Sequence, residues 1–331
     1  VCVAALATLK GRAVEEVYEV SGCDRAPRTA SPTVFEAASL GKPVFGYGVL
    51  KWAREGHLDL DAPLATYLKQ GYVHVQNPFD MDDPVRTDRV DPSALQHVTA
   101  RRLLTHTAGL PNWSNEPLVF EPDAGTVWRY SGEGYVLLQS AVEAISGVRL
   151  DEFMRTQVFE PLGMSDSDFV WNPRWTEHLA PGMSSSGDQL PLKHYRDPIS
   201  ASTLYTTAGD FAKFLSAVLR DEELMRATLA MPVSVDPSLN LEWGLGWGVE
   251  NMPQGERLIW HWGSNPGYRA FVMASVKTGD GLVLLTNNDN GLALAEPAVD
   301  AVLPGDHRIF KLYMLRDGLS FVACRSLNLC F

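Results

Sequence analysis

Ser39 stands three residues before Lys42 in the stretch "FEAASLGKPVFGYGVLKWAREG", with Pro43 directly after the lysine and an apolar-periodic run behind it. A serine hydroxyl at its free pKa is a weak nucleophile and needs a base within hydrogen-bond reach. Residues three apart on a helix share a face, so the Lys42 amine can approach the Ser39 hydroxyl without any long-range folding requirement. The lysine must be neutral to accept the proton, and burial with neighbouring dipoles can depress a lysine pKa by several units.

Pro43 says where that helix begins. Proline has no N–H to donate and clashes with a preceding helical turn, so it is tolerated only in the first turn. The helix therefore starts close to Ser39, at the positive end of its dipole, where unsatisfied N–H groups favour a developing alkoxide or oxyanion. A plain serine N-cap is the competing role for Ser39. Composition alone produces about one Ser-x-x-Lys in a chain of this length, so these residues alone do not decide between the two roles.

The elements that must position the pair follow from hydrophobic period. "VCVAALATL" and "AVEEVYEV", separated by "KGR", predict an antiparallel hairpin at the start of the chain. From Ser39 to about residue 199 the pattern is helical and loop-like, with periodic apolar stretches at 43–55, 99–105, 131–146 and 150–158 between Pro/Gly/Asp-rich connections. The acidic, proline-marked "NPFDMDDPVRTDRVDPS" predicts a surface loop, of a length that often shapes a cleft. "TTAGDFAKFLSAVL" opens with Thr207 three residues before Asp210, a capping spacing, and continues with helical period. "EWGLGWGVE", "RLIWHWG", "YRAFVMASV" and "LVLLTNN" predict consecutive antiparallel strands, and a helix near 291–303 closes the sheet. The final "GLSFVACRSLNLCF" fits no pattern.

Strands at both ends with helices between predict an α/β (α+β) fold: an antiparallel sheet flanked by helices, built from both chain ends, with an inserted mainly helical domain. The sheet domain is expected over 1–45 and 200–310, the helical domain over 46–199, and 311–331 is a tail of unassigned structure. The 331 residues, 45% hydrophobic, suffice for a large core in one domain or two lobes.

A net charge of −12 argues against nucleic acid or an anionic membrane surface as partner and favours a small molecule. No apolar run of about 18 residues exists to span a bilayer, and no signal peptide precedes the body. Cys2, Cys23, Cys324 and Cys330 are too few and scattered for a disulfide framework and read as unpaired thiols; no spacing implies a metal, and nothing implies an organic cofactor.

Over residues 35–290 the chain resembles the serine β-lactamases and penicillin-binding proteins, especially the class C-like branch that includes the family VIII carboxylesterases. The resemblance rests on ordered blocks: "FEAASLGK", "EGHLDLDAPLATYL", "LLTHTAGLP", "YSGEGYVLLQSAVEAISG", "FEPLGMSDSDF", "TTAGDFAKFL", "GLGWGV" and "HWGSNPGYRAF". It implies an active site in the groove between a sheet domain and a helical domain. It also favours a periplasmic or secreted setting, with oligomeric state left open.

By that resemblance Ser39 is the acylated nucleophile, Lys42 its base, and Tyr130 of "YSG" the second proton-transfer group, a phenol that needs nearby cationic charge to lower its pKa. His261, Trp262 and Gly263 occupy the third family motif. His261 is expected to offer a hydrogen bond or positive charge to the substrate, and Gly263 to leave room for close approach. The N–H groups of Ser39 and Ser264 are the implied oxyanion hole.

Three other motifs are set aside. Lys277 to Gly279 spells "KTG" but precedes Asp280 and Gly281 between two strands, which is turn chemistry. "SLN" at Ser238 to Asn240 falls outside the matching blocks. His106 in "LLTHTAGL" invites a Ser-His-Asp triad, but the lysine already supplies a base, and a satisfied buried histidine is expected.

Two departures bear on substrate. Gly132 stands where β-lactamases of this branch carry an asparagine, so an acylamino group loses its side-chain partner. Trp262 replaces a smaller hydroxyl residue with apolar bulk. Both tilt the expected reaction toward hydrolysis of small esters, with β-lactams or D-amino-acid peptides as the alternative. A non-enzymatic binding module would be expected to have lost the nucleophile or the base, and both are present.

Overall fold

Period-two alternation draws the two ends of the chain into one sheet. The structure is a computed structural model describing residues 1–23, 32–79, 85–121, 125 and 127–315. The expected hairpin is β1 (Val3–Lys10) and β2 (Ala13–Ser21), turning through Gly11 and Arg12, both at positive φ (54° and 68°). A short buried strand, β3 (Phe35–Ala38), leads into α1 (Gly41–Arg54).

The next stretch holds β4 (Tyr72–Gln76), β5 (Arg86–Val90), α2 (Ala100–Leu104), α3 (Gly132–Ser146), α4 (Leu150–Met154) and α5 (Glu160–Leu162). After it come β6 (Leu204–Thr206), α6 (Ala208–Arg220) and α7 (Glu222–Thr228). The chain then runs through β7 (Val233–Asp236), β8 (Leu241–Trp243), β9 (Gly248–Asn251), β10 (Arg257–Asn265), β11 (Tyr268–Ser275), β12 (Gly281–Thr286) and α8 (Ala295–Val302).

Eight strands form the main antiparallel sheet in the order β2-β1-β12-β11-β10-β9-β8-β7. β1 enters beside β12, with Ala5 opposite Leu285. The sheet is covered on both faces, which is why β12 reads as an unbroken apolar run. Ala270, Val272 and Ala274 of β11 join the core that also holds α1 and α6, whereas Phe271 and Met273 join the core under α8. β2 is exposed along its length because it is the free edge.

The Thr207 cap forms as expected, its hydroxyl accepting from the Asp210 N–H at 3.1 Å. The "KTG" lies in the β11–β12 hairpin with Gly279 at φ 77°, and "SLN" lies in the β7–β8 link. Among the described residues no helix is long and apolar enough to cross a membrane.

Several expectations are corrected. The acidic segment expected as loop contributes β5, which pairs with β4 from Tyr72↔Val90 to Gln76↔Arg86, because its threonine and valine find a partner strand too distant for local pattern to reveal. The periodic run 150–158 is broken, with a wider π-type turn at Arg155–Phe159 between α4 and α5. Cys2 and Cys23 are not free thiols: the β1–β2 hairpin brings their Cα atoms to 5.3 Å and they form a disulfide. Residues 316–331, with Cys324 and Cys330, lie outside the described residues.

Candidate active site

α1 begins at Gly41, so Pro43 occupies its first turn as the sequence requires. The residue at the N-cap position is Leu40, which makes no side-chain cap, and Ser39 is free of that duty. Ser39 Oγ instead donates to the Ala201 carbonyl at 3.2 Å, and Lys42 Nζ lies 2.8 Å from Oγ and 2.9 Å from the same carbonyl. Gly41 lets α1 press against this segment, since a Cβ there would stand 2.7 Å from the Ser200 carbonyl oxygen.

Lys42 is fully buried and has no carboxylate within 4.0 Å among the described residues. Burial therefore holds its pKa well below the ordinary 10.5 and disfavours the ammonium form beside the serine. Ser39 therefore makes no N-cap, and its hydroxyl lies beside a buried amine.

Tyr130 precedes α3, whose N-cap Ser131 accepts from the Gly134 N–H at 2.8 Å. Lys42 Nζ sits 4.7 Å from the centroid of the Tyr130 ring, and the Trp262 ring lies 4.8 Å from it. The Tyr130 Oη is sealed from solvent and makes no well-formed hydrogen bond. The expectation of a lowered phenol pKa is not met: burial pushes it up, only partly opposed by the nearby Ser39 hydroxyl. Tyr130 is a proton donor at rest.

β10 carries the third motif with a different division of labour from the one expected. His261 is fully buried, and its Nδ1 lies 2.8 Å from the Trp262 carbonyl, which can only accept, so Nδ1 bears the proton. Burial above all takes its pKa down to about 3, so it brings no positive charge to a ligand near neutral pH. Gly263 leaves room for protein rather than substrate, because a Cβ there would meet the Ala37 carbonyl oxygen at 2.2 Å. That close approach brings β10 against β3, and Ser39 and Ser264 then line one cleft together with Tyr130 and Trp262.

Gly132 does not line the cleft. A Cβ on it would fall 2.6 Å from the Trp113 ring, and its N–H faces Asn112, whose Oδ1 accepts at 3.0 Å. Asn112 and Trp113 therefore stand in the cleft wall where Gly132 offers nothing, and the Asn112 Nδ2 has no protein partner among the described residues. His106 is buried as expected but only half satisfied: its Nδ1 accepts from the Ser131 N–H at 3.1 Å, its Nε2 finds no partner among the described residues, and its ring lies 4.6 Å from Tyr130 and backs the site.

The cleft encloses about 380 Å³, and Phe79, Lys193, Tyr195, Ser202 and Asn265 also border it. A larger hollow of about 500 Å³ near the end of α1 holds none of the candidate groups, and its Arg54 and Arg101 are paired with Asp221 and Asp61. Sequence reading missed Asn112, Trp113, Lys193 and Tyr195, which come from irregular chain without periodic signal. It also missed Glu36, for which a carboxylate inside the buried strand run "FEAA" was the available signal.

The penicillin-binding protein 4* of Bacillus subtilis (strain 168) is 27% identical over 301 residues, covering 78% of this chain, which spans 61% of that relative's length. The esterase EstB of Burkholderia gladioli is 25% identical over 324 residues, covering 77% of each chain. The structure of a D-amino acid amidase from Ochrobactrum anthropi SV3 superposes with a TM-score of 0.69 at 21% identity, over 91% of this chain and 92% of that one, and shows the same fold. The model of the Beta-lactamase family matches residues 1–304, and the chain belongs to that family of serine hydrolases.

Proposed function

We propose that the protein is a serine hydrolase that works through an acyl-enzyme on Ser39 and acts chiefly on small carboxylic esters. The observation that carries this reading is the 2.8 Å approach of Ser39 Oγ to a fully buried Lys42 amine whose charged form burial disfavours. The amine turns its lone pair to Oγ and takes the proton as Oγ attacks the ester carbonyl. The oxyanion forms toward the backbone N–H groups of Ser39 and Ser264.

The resulting Lys42 ammonium lies against the Tyr130 ring face, an arrangement that stabilises a desolvated cation. Tyr130 donates its proton to the departing alkoxide and is reprotonated from Lys42, which restores the base. Water then attacks the acyl group on Ser39 by the reverse route. No metal or organic cofactor enters these steps. The bulk of Trp262 in the cleft favours esters, whose alkoxides leave without help from ring strain.

One observation supports amide or β-lactam hydrolysis as a second reading: the unpartnered Asn112 amide beside Gly132 can receive an acylamino carbonyl. A short nitrophenyl ester, a chromogenic cephalosporin and a D-Ala-D-Ala peptide, each offered to wild type and Ser39→Ala, separate the two. Turnover of the ester alone supports the first reading, and turnover of only the cephalosporin or peptide replaces it with the second. Intact mass after fluorophosphonate treatment should show an adduct in wild type and none in Ser39→Ala. Absence of a Ser39-dependent adduct would overturn both readings and favour a binding module.

A further inference from the structure

We propose that Lys193 anchors a carboxylate on the substrate, so that the preferred ester is an anionic one. This rests on the acyl-enzyme reading above and names its substrate class. Lys193 is the only charged side chain among the described residues that line the cleft; the others are neutral, five of them aromatic. Phe79 and Trp113 meet edge to face at 4.6 Å, and Tyr130, Tyr195 and Trp262 supply the remaining rings.

The cation is held in place by its backbone. Tyr205 Oη donates to the Lys193 carbonyl at 2.7 Å and accepts from the Tyr195 N–H at 3.4 Å. Tyr205 is fully buried on β6, opposite Glu36 of β3, three residues before Ser39. Lys193 thus departs from a segment braced against the strand that delivers the nucleophile, and its half-buried stem leads to the cleft.

The place of Lys193 on the cleft wall, with no carboxylate partner among the described residues, is what points to a ligand. Several other cations in this acidic chain pair with carboxylates, among them Lys10 with Asp280 at 3.1 Å, Arg54 with Asp221 at 3.0 Å and Lys213 with Asp210 at 2.8 Å. Lys193 has none within 4.0 Å among the described residues. The carboxyl that senses it, Glu36, is buried, turned to Asn265 and held largely protonated below neutral pH. One ammonium in an aromatic cleft suits a monoanionic carboxylate on an apolar body, whereas phosphate recognition usually recruits several donors.

Two matched pairs test this in wild type, Lys193→Met and Lys193→Glu. The acyl-side pair is the 4-nitrophenyl monoester of adipic acid against its methyl-capped form. The leaving-group pair is 3-carboxyphenyl butyrate against its methyl ester. In wild type the charged member of at least one pair should exceed its neutral partner in kcat/KM by about ten- to a hundred-fold, chiefly through KM. Lys193→Met, which keeps the apolar stem, should bring that ratio near unity, and Lys193→Glu should invert it. A ratio near unity for both pairs in wild type, or one that survives Lys193→Met, overturns the proposal. Loss of all Ser39-dependent turnover, including 4-nitrophenyl butyrate, would instead overturn the acyl-enzyme reading on which it rests.

Discussion

Asn265 Nδ2 donates to the buried carboxyl of Glu36 at 2.8 Å, while Asn265 Oδ1 accepts from Ser202 Oγ at 3.1 Å. The adjacent Ala201 carbonyl receives both Ser39 Oγ and Lys42 Nζ. One polar chain therefore joins β3, the end of β10 and the segment before β6 behind the candidate nucleophile. Its members are buried, so each depends on the others for hydrogen bonds.

Glu36 should make stability depend on pH. Burial raises its carboxyl from 4.5 to about 7 in the folded protein, against smaller opposing effects of Asn265 and Lys193; Tyr195, Tyr205 and Tyr268 also face it and are themselves pushed up. Between these values the folded state holds a proton that the unfolded chain has released. Its contribution is thus fully present below about pH 4.5 and lost as pH rises through about 7, on the order of 3 kcal/mol in all. Urea unfolding of wild type and Glu36→Gln at pH 5 and pH 8 measures this. Equal pH slopes in the two proteins would refute it.

Lys42→Met should abolish turnover and raise stability. The folded amine binds its proton less readily than the unfolded one, so the native state is favoured fully above about pH 10.5 and progressively less as pH falls. Methionine fills the same space without that cost. Thermal unfolding and ester hydrolysis at pH 7 are the paired measurements, and a variant less stable than wild type would contradict the assignment of an uncompensated buried amine.

Tyr130→Phe separates the hydroxyl from the ring. The ring contacts to Trp262 and His106 remain, and the Oη has no well-formed hydrogen bond to lose, so stability should hold or improve. A proton donor should be missed by about 10²- to 10⁴-fold in kcat. Unchanged kcat on a poor leaving group, measured beside 4-nitrophenolate, would remove Tyr130 from the reaction.

Gly263→Ala should act at a distance from substrate. The new methyl meets the Ala37 carbonyl oxygen, which is backbone and cannot swing away. Overpacking of this kind costs about 1–3 kcal/mol or more. Because the same movement parts Ser264 from Ser39, acylation by the fluorophosphonate should slow as well. Wild-type labelling rate with intact stability would show that the β3–β10 approach is not needed.

Much of the framework was legible because it is local or periodic. Pro43 marked the start of α1, alternation marked β10 to β12, and Gly279 marked the false "KTG" as a hairpin turn. β5 and the Cys2–Cys23 disulfide were not legible, since each requires a partner that only the folded chain brings near. The roles expected at His261 and Gly263 changed for a related reason: residue type says what a side chain can do, not what surrounds it.

The sequence by itself determined that Ser39 stands at the start of a helix with Lys42 in its first turn, because the proline restriction and helical spacing act within a few residues. Only the tertiary structure decided that burial lowers the Lys42 pKa, that it raises that of Tyr130, and that Lys193 meets the cleft without a carboxylate partner among the described residues. Those properties depend on which distant segments exclude water and which carboxylates come near, and no short-range rule contains them.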